Sequence, residues 1–196
     1  MDSHSTMNVI PTAIPDVLVL EPRVFKDARG AFFESYNRAA FEAATGVEAD
    51  FVQDNQSRSG RGVLRGLHYQ VRQAQGKLVR VVSGAIFDVA VDLRRRSPTF
   101  RQWVGVELSA DNCRQIWVPA GFAHGFLVLG ESADVLYKTT DYYAPAHERC
   151  LRWNDPELAI EWPRFEGGPV MSAKDEAGLP LSGAELFEDN TEPDDE

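Results

Sequence analysis

The sequence predicts a mainly β protein, one antiparallel sandwich or barrel carrying a few short helices. Through the middle of the chain, short runs rich in Val, Ile, Phe, Tyr and Trp recur at spacings of about 8–12 residues, with Gly, Pro, Asn or Ser between them. Residues 87–93 alternate, with Phe87, Val89, Val91 and Leu93 on one face and Asp88, Ala90 and Asp92 on the other. That rhythm belongs to antiparallel strands joined by turns, not to βαβ units.

Taken in order, residues 1–8 read as a loose end. Residues 17–20 and 31–36 are strand-like, separated by PRVFKDARG, whose DARG has turn chemistry. RAAFEAAT, Arg38–Thr45, is a helix closed by Gly46. Residues 51–58, FVQDNQSR, form a strand whose polarity is unusual for a core element. Residues 64–84, LRGLHYQVRQAQGKLVRVVSG, read as a charged hairpin, two strands joined by a polar loop, with Arg65, His68 and Lys77 in otherwise ordinary strand sequence. Further strands are expected over 102–109, 115–119, 124–129 and 134–140.

After Trp162 and Pro163 the texture changes. RFEGGPVM reads as an irregular crossing segment, SAKDEA as a short helix capped by Ser172, and residues 183–187 as another helical turn. Residues 1–183 are expected to form one domain, and the acidic residues 184–196 a disordered tail.

Composition narrows the function. At 196 residues and 43% hydrophobic the chain can bury one substantial core. A net charge of −10 and a pI near 4.9 argue against binding nucleic acid or an acidic membrane. Cys113 and Cys150 lie far apart and read as reduced, structural thiols. MDSHSTMNVIP lacks the features of a secretory signal, and no apolar run approaches the ~20 residues needed to span a bilayer. A soluble, cytoplasmic protein is expected.

Chemistry concentrates on few residues. PAGFAHGF (119–126) resembles the second motif of the cupin superfamily, in which a tight turn leads into a strand whose histidine faces a small β-barrel. Metal-binding cupins add His-x-His and a Glu from their first motif. Here the matching stretch is His68-Tyr69-Gln70, so a metal-independent barrel is expected, with no cofactor. Histidine, with an ordinary pKa near ~6.5, can accept a proton from carbon if the resulting carbanion spreads onto a carbonyl. Lys77, with His124, would steady that enolate. Tyr137, sharing a strand face with Val135 and Thr139, is the candidate acid; a buried, merely hydrogen-bonded Tyr fits its pattern equally well. Strict alternation puts Leu64, Gly66 and His68 on one face and Arg65 on the other. If Arg65 reaches the same site, Gly66 should mark a bulge; otherwise Arg65 works from the rim.

Together FKDARGAFFESY, FVQDNQS, VLRGLHYQ, QGKLVRVVSGAIFDVAVDLR, SPTFRQWVGVELS, WVPAGFAHGFLVL, YKTTDYYAP, LRWNDP and SAKD resemble the dTDP-4-dehydrorhamnose 3,5-epimerase family over about residues 10–181. The resemblance implies a cupin-type antiparallel jelly roll. It implies a metal-independent isomerase converting dTDP-4-dehydro-6-deoxy-D-glucose to dTDP-4-dehydro-β-L-rhamnose. It implies catalysis by His68 as base, Tyr137 as acid, Asp175 paired with His68, and Lys77 beside the sugar carbonyl. Substrate-binding positions carried over are Arg29, Glu34, Gln53, Asp54, Asn55, Arg65, His124, Glu148 and Lys174. A homodimer sharing its N-terminal strands is also implied, which would let Arg29 and Glu34 serve the partner's site. An epimerase inverting one centre, a non-catalytic nucleotide-sugar-binding cupin and a metal cupin oxygenase are the competing readings.

Overall fold

The computed structural model describes residues 7–165 and 167–188. Two antiparallel sheets stack face to face as a jelly roll. One sheet has six strands, in the spatial order β1 (Met7–Pro11), β2 (Leu18–Pro22), β10 (Gln115–Val118), β7 (Lys77–Ser83), β12 (Ser132–Thr139) and β5 (Gln53–Gly60). The other runs β13 (Glu148–Cys150), β6 (Leu64–Gln70), β11 (Phe122–Val128), β8 (Ala85–Asp92) and β9 (Trp103–Ser109). A separate two-stranded ribbon joins β3 (Phe25–Asp27) to β4 (Gly30–Phe32).

The core between the sheets is built from β-branched and aromatic side chains facing inward. Val79, Val81 and Val135 come from the six-stranded sheet, and Ile86, Phe126 and Val128 from the five-stranded one. The outer face of each sheet is also covered. Helix α1 (Arg38–Thr45) lays fully buried Phe41 against Trp117, edge to face at 5.6 Å. Burying one such ring contributes about 1.5–3 kcal/mol. Asn37 caps this helix by accepting from the Ala40 amide, and Gly46 ends it in the left-handed conformation, as its sequence requires.

On the five-stranded sheet, Leu67, Val89 and Val91 pack against Leu151, Leu158, Leu181 and Phe187 from the C-terminal segment. Strand β8 is thus buried on both faces. Its alternation is as read, but the face bearing Asp88 and Asp92 points into the sandwich, and both aspartates are fully buried. Asp92 is satisfied there by Arg94, Ser97 and Thr99.

Several expectations are corrected. The stretch 64–84 is not a hairpin: β6 and β7 belong to different sheets and face each other across the core. The strand expected over 31–36 is confined to Gly30–Phe32. The N-terminal end is ordered from Met7, which is buried and pairs with Pro22, so residues 7 and 8 are not loose. Residues 183–187 form no helical turn; a 3-10 turn covers Leu181–Gly183, and Phe187 bridges to Arg94. The start of the expected tail is therefore packed: the Phe187 amide donates to Leu93, and the Tyr69 hydroxyl donates to the Glu185 carbonyl at 2.9 Å. Residues 1–6 and 189–196 lie outside the described residues. Helix α2 (Ala173–Glu176) is capped by Ser172 as expected. Among the described residues no helix is long and apolar enough to cross a membrane.

Candidate active site

An irregularity in β6 organises the site. Opposite β11, His68 pairs with His124 but Arg65 pairs with Phe126, so β6 holds one residue more than its partner. Gly66 lies within this bulge at φ +110°. A Cβ there would sit 2.6 Å from the His124 carbonyl oxygen and 2.7 Å from the Gly125 Cα, so glycine is what lets the two backbones meet. The extra residue resolves the alternation problem: Arg65 and His68 both line one cavity, about 340 Å³, between the sheets. It also turns the Gly66 amide towards the Asp175 carboxylate, to which it donates.

His68 stands on the five-stranded wall with its side chain 28% exposed, and its Nε2 lies 2.5 Å from Asp175 Oδ1. Ser172 Oγ donates to Asp175 Oδ2 at 2.9 Å and accepts from the Asp175 amide. Burial raises the Asp175 carboxyl, but the bonds from His68, Ser172 and Gly66 outweigh it, holding the group below the usual carboxylate range.

Lys77 and Tyr137 come from the opposite sheet. Lys77 is buried and donates from Nζ to the His68 carbonyl at 3.3 Å. Burial pushes its ammonium down to about 8, against the opposing pull of Asp88 and Glu148. Burial pushes the Tyr137 phenol up, opposed by the Arg65 charge, so the hydroxyl keeps its proton at neutral pH. His124, also buried, places Nε2 2.9 Å from an oxygen of Asp88. The cavity therefore has a histidine–carboxylate pair on one wall, a phenol on the other, and a buried ammonium near the histidine backbone. Such a set can move a proton from one face of a bound molecule to the other and stabilise charge between them.

At the mouth, Glu148 accepts from the Tyr143 hydroxyl at 2.6 Å and pairs with Lys174. Burial raises the Glu148 carboxyl, but these two bonds prevail and lower it. Arg65 donates from Nε to Ser59 Oγ at 2.9 Å, which fixes the guanidinium on the cavity wall. Gln53 and Asn55 line the same cavity from β5 and hydrogen-bond to each other.

Three expected positions are not brought there. Asp54 points to the opposite face of β5, 70% exposed and paired with Lys138. Arg29 is 91% exposed on the β3–β4 ribbon and pairs with Asp27. Glu34 accepts from Asn37 beside α1, away from the cavity. Conversely, Asp88, Tyr143, Ser57 and Ser59 belong to the site and were not singled out by sequence. Ser57 was within reach of the pattern, since Gln53, Asn55 and Ser57 share a strand face; its buried Oγ lines the cavity without a protein partner. Asp88 had a signal too, as a charge on one face of an alternating strand.

For metal ligation, one donor each from His68, Cys150 and Asp175 lie within 4.8 Å of one another. In the metal-free protein, burial and then the Asp175 charge push the Cys150 thiol up to about 12.

Residues 11–182 match the family model described as dTDP-4-dehydrorhamnose 3,5-epimerase. A Pseudomonas aeruginosa protein of that name is 65% identical over 92% of this chain and 99% of its own length. One from Salmonella typhimurium is 59% identical over 93% of this chain and 100% of its own. Among solved structures, a Legionella pneumophila dTDP-6-deoxy-D-glucose-3,5-epimerase in complex with dTDP-4-keto-L-rhamnose superposes with a TM-score of 0.91. It is 50% identical and covers 94% of this chain and 100% of that one.

Proposed function

The chain belongs to the dTDP-4-dehydrorhamnose 3,5-epimerase family, and on that footing we propose that it converts dTDP-4-dehydro-6-deoxy-D-glucose to dTDP-4-dehydro-β-L-rhamnose. The observation that carries the reading is the pairing of His68 with Asp175 on one wall of a cavity whose other wall bears Tyr137. C3 and C5 both neighbour the C4 ketone, so one base, one acid and one enolate stabiliser serve both centres. With Nε2 held by Asp175, Nδ1 of His68 takes the proton, and Asp175 stabilises the imidazolium that results. Lys77 neutralises charge developing on the C4 oxygen, assisted by His124, which Asp88 orients. Tyr137 returns a proton to the opposite face, and the centre is inverted. Each proton movement is assigned to a side chain of the protein.

Arg65 suits the diphosphate, since a guanidinium meets phosphate oxygens in a two-pronged way. Gln53 and Asn55 from β5 and the Glu148–Lys174 pair at the mouth complete the binding set. In a homodimer, which we propose from the exposed β3–β4 ribbon, Arg29 and Glu34 would reach the partner's cavity.

Incubation of the dTDP-4-keto sugar in deuterated water tests the assignment. Deuterium is expected at C3 and C5, and His68→Ala is expected to slow incorporation by at least about 10²-fold while leaving the fold intact. Label at C3 alone would select a one-centre epimerase, and binding of dTDP without any label a non-catalytic binder. Near wild-type exchange in His68→Ala would overturn the choice of base.

A further inference from the structure

We propose that His68, Cys150 and Asp175 form a binding site for a soft divalent cation, Zn²⁺ in particular, whose occupation switches off the proton transfer. The three side chains come from three elements. Cys150 on β13 is the cross-strand partner of His68 on β6, and α2 delivers Asp175 above them. Cys150 Sγ lies 4.0 Å from the same Asp175 oxygen that His68 contacts at 2.5 Å, and all three donors fall within 4.8 Å. Zinc bonds of about 2.0–2.3 Å in tetrahedral geometry need donor separations of roughly 3.3–3.7 Å. Opening the His68–Asp175 contact and drawing the sulfur inward, both side-chain torsions, meets that requirement. Nitrogen, thiolate and carboxylate are the donor types zinc prefers. Of the ligand positions used by metal-binding cupins, this set shares only His68.

Binding replaces a proton with a metal. The thiol proton leaves to solvent as the S–Zn bond forms, the proton on His68 Nε2 passes through solvent to Nδ1, and the His68–Asp175 hydrogen bond is exchanged for two metal bonds. The donors must separate from their metal-free positions and the His68–Asp175 hydrogen bond must break, so the site is weak and reversible and suits an inhibitory cation more than a resident one. Once zinc holds Asp175 and a ring nitrogen of His68, the carboxylate no longer stabilises an imidazolium, and the base is lost. The inhibition rests on the epimerase reading; the metal site itself does not.

The two are tested separately. Titrating the full-length protein with Co²⁺ and recording near-ultraviolet absorption is expected to give a thiolate-to-cobalt charge-transfer band, bleached by Zn²⁺. The band should vanish in Cys150→Ala and in Cys150→Ser and persist in Cys113→Ala. In the deuterium-exchange assay, Zn²⁺ is expected to stop wild-type turnover reversibly, with recovery on adding a chelator. Cys150→Ala, with unchanged activity before metal is added, should need at least about tenfold more Zn²⁺ for the same inhibition. A wild-type protein without the cobalt band, or a Cys150→Ala variant as sensitive to Zn²⁺ as wild type, would overturn the proposal. Failure of exchange in metal-free wild type, with the cobalt band present, would instead count against the epimerase reading alone.

Discussion

Lys77 stands far from its ordinary environment, because a buried ammonium has lost its water and keeps only backbone and distant carboxylates in exchange. Its value near 8 lies below that of a free lysine, so the cation is present at lower pH and is lost as pH rises through about 8. If that charge stabilises the enolate, kcat/KM should decline above pH ~8. Lys77→Met should lower kcat by about 10²–10³-fold and remove the alkaline limb from whatever activity remains. A limb that survives the substitution would assign it to another group. Tyr137 makes a different prediction, because burial keeps its proton in place. Tyr137→Phe leaves the base on the other wall untouched, so deuterium should still enter at C3 while inversion falls sharply. Nuclear magnetic resonance of the sugar ring distinguishes label from inversion in one sample. Loss of both together would place Tyr137 in binding and not in proton return.

At the scale of the element, β6 works because it is irregular. A regular strand would turn Arg65 away from the face His68 occupies; the bulge brings both to one cavity and presents the Gly66 amide to Asp175. Gly66→Ala combines a positive φ with a Cβ 2.6 Å from the His124 carbonyl oxygen. It is expected to destabilise the fold by about 2–3 kcal/mol in denaturant unfolding and to weaken dTDP binding, since Arg65 moves with the bulge. Wild-type stability with full binding would show that the strands tolerate a regular register. The bulge was legible as a question, because alternation exposed the conflict between Arg65 and His68 and a strand glycine offered the answer. The end of α1 was legible from Gly46, which stops a helix by local chemistry, whereas the Asn37 cap at its start emerged only in the structure. What could not be read was which strands pair. The polar loop after β6 looks like a hairpin turn, yet the chain crosses to the other sheet, a choice made by burial on both sides and not by the loop. Asp175 is invisible to periodicity for a related reason: a four-residue helix far along the chain carries no pattern pointing to His68. Asp54 shows the reverse case, where alternation with Gln53 and Asn55 already places it on the outer face, and the family likeness alone suggested otherwise.

For the whole molecule, the two sheets complete one cavity but leave the β3–β4 ribbon outside it. The ribbon pairs with neither sheet, and Phe25 and Phe32 on it are 50% and 70% exposed. Two large rings held in water on an otherwise acidic protein call for a covering surface, and in the proposed homodimer a second copy of the chain related by a two-fold axis would supply one. In that proposed dimer Arg29 would serve the cavity of the other protomer. Subunit mixing tests this directly. Arg29→Ala and His68→Ala should each be poorly active alone. In a mixed dimer, the cavity with intact His68 receives Arg29 from the His68→Ala protomer, so one of its two sites is wild type throughout. After random exchange of subunits about half the dimers are mixed, so about a quarter of all cavities are whole and a matching share of wild-type activity should return. If Arg29 instead serves its own cavity, mixing restores nothing, because no cavity then holds both residues. Replacing Phe25 and Phe32 together by serine should shift the sedimentation equilibrium towards monomer and abolish the recovery; unaltered dimers would place the interface elsewhere on the molecule.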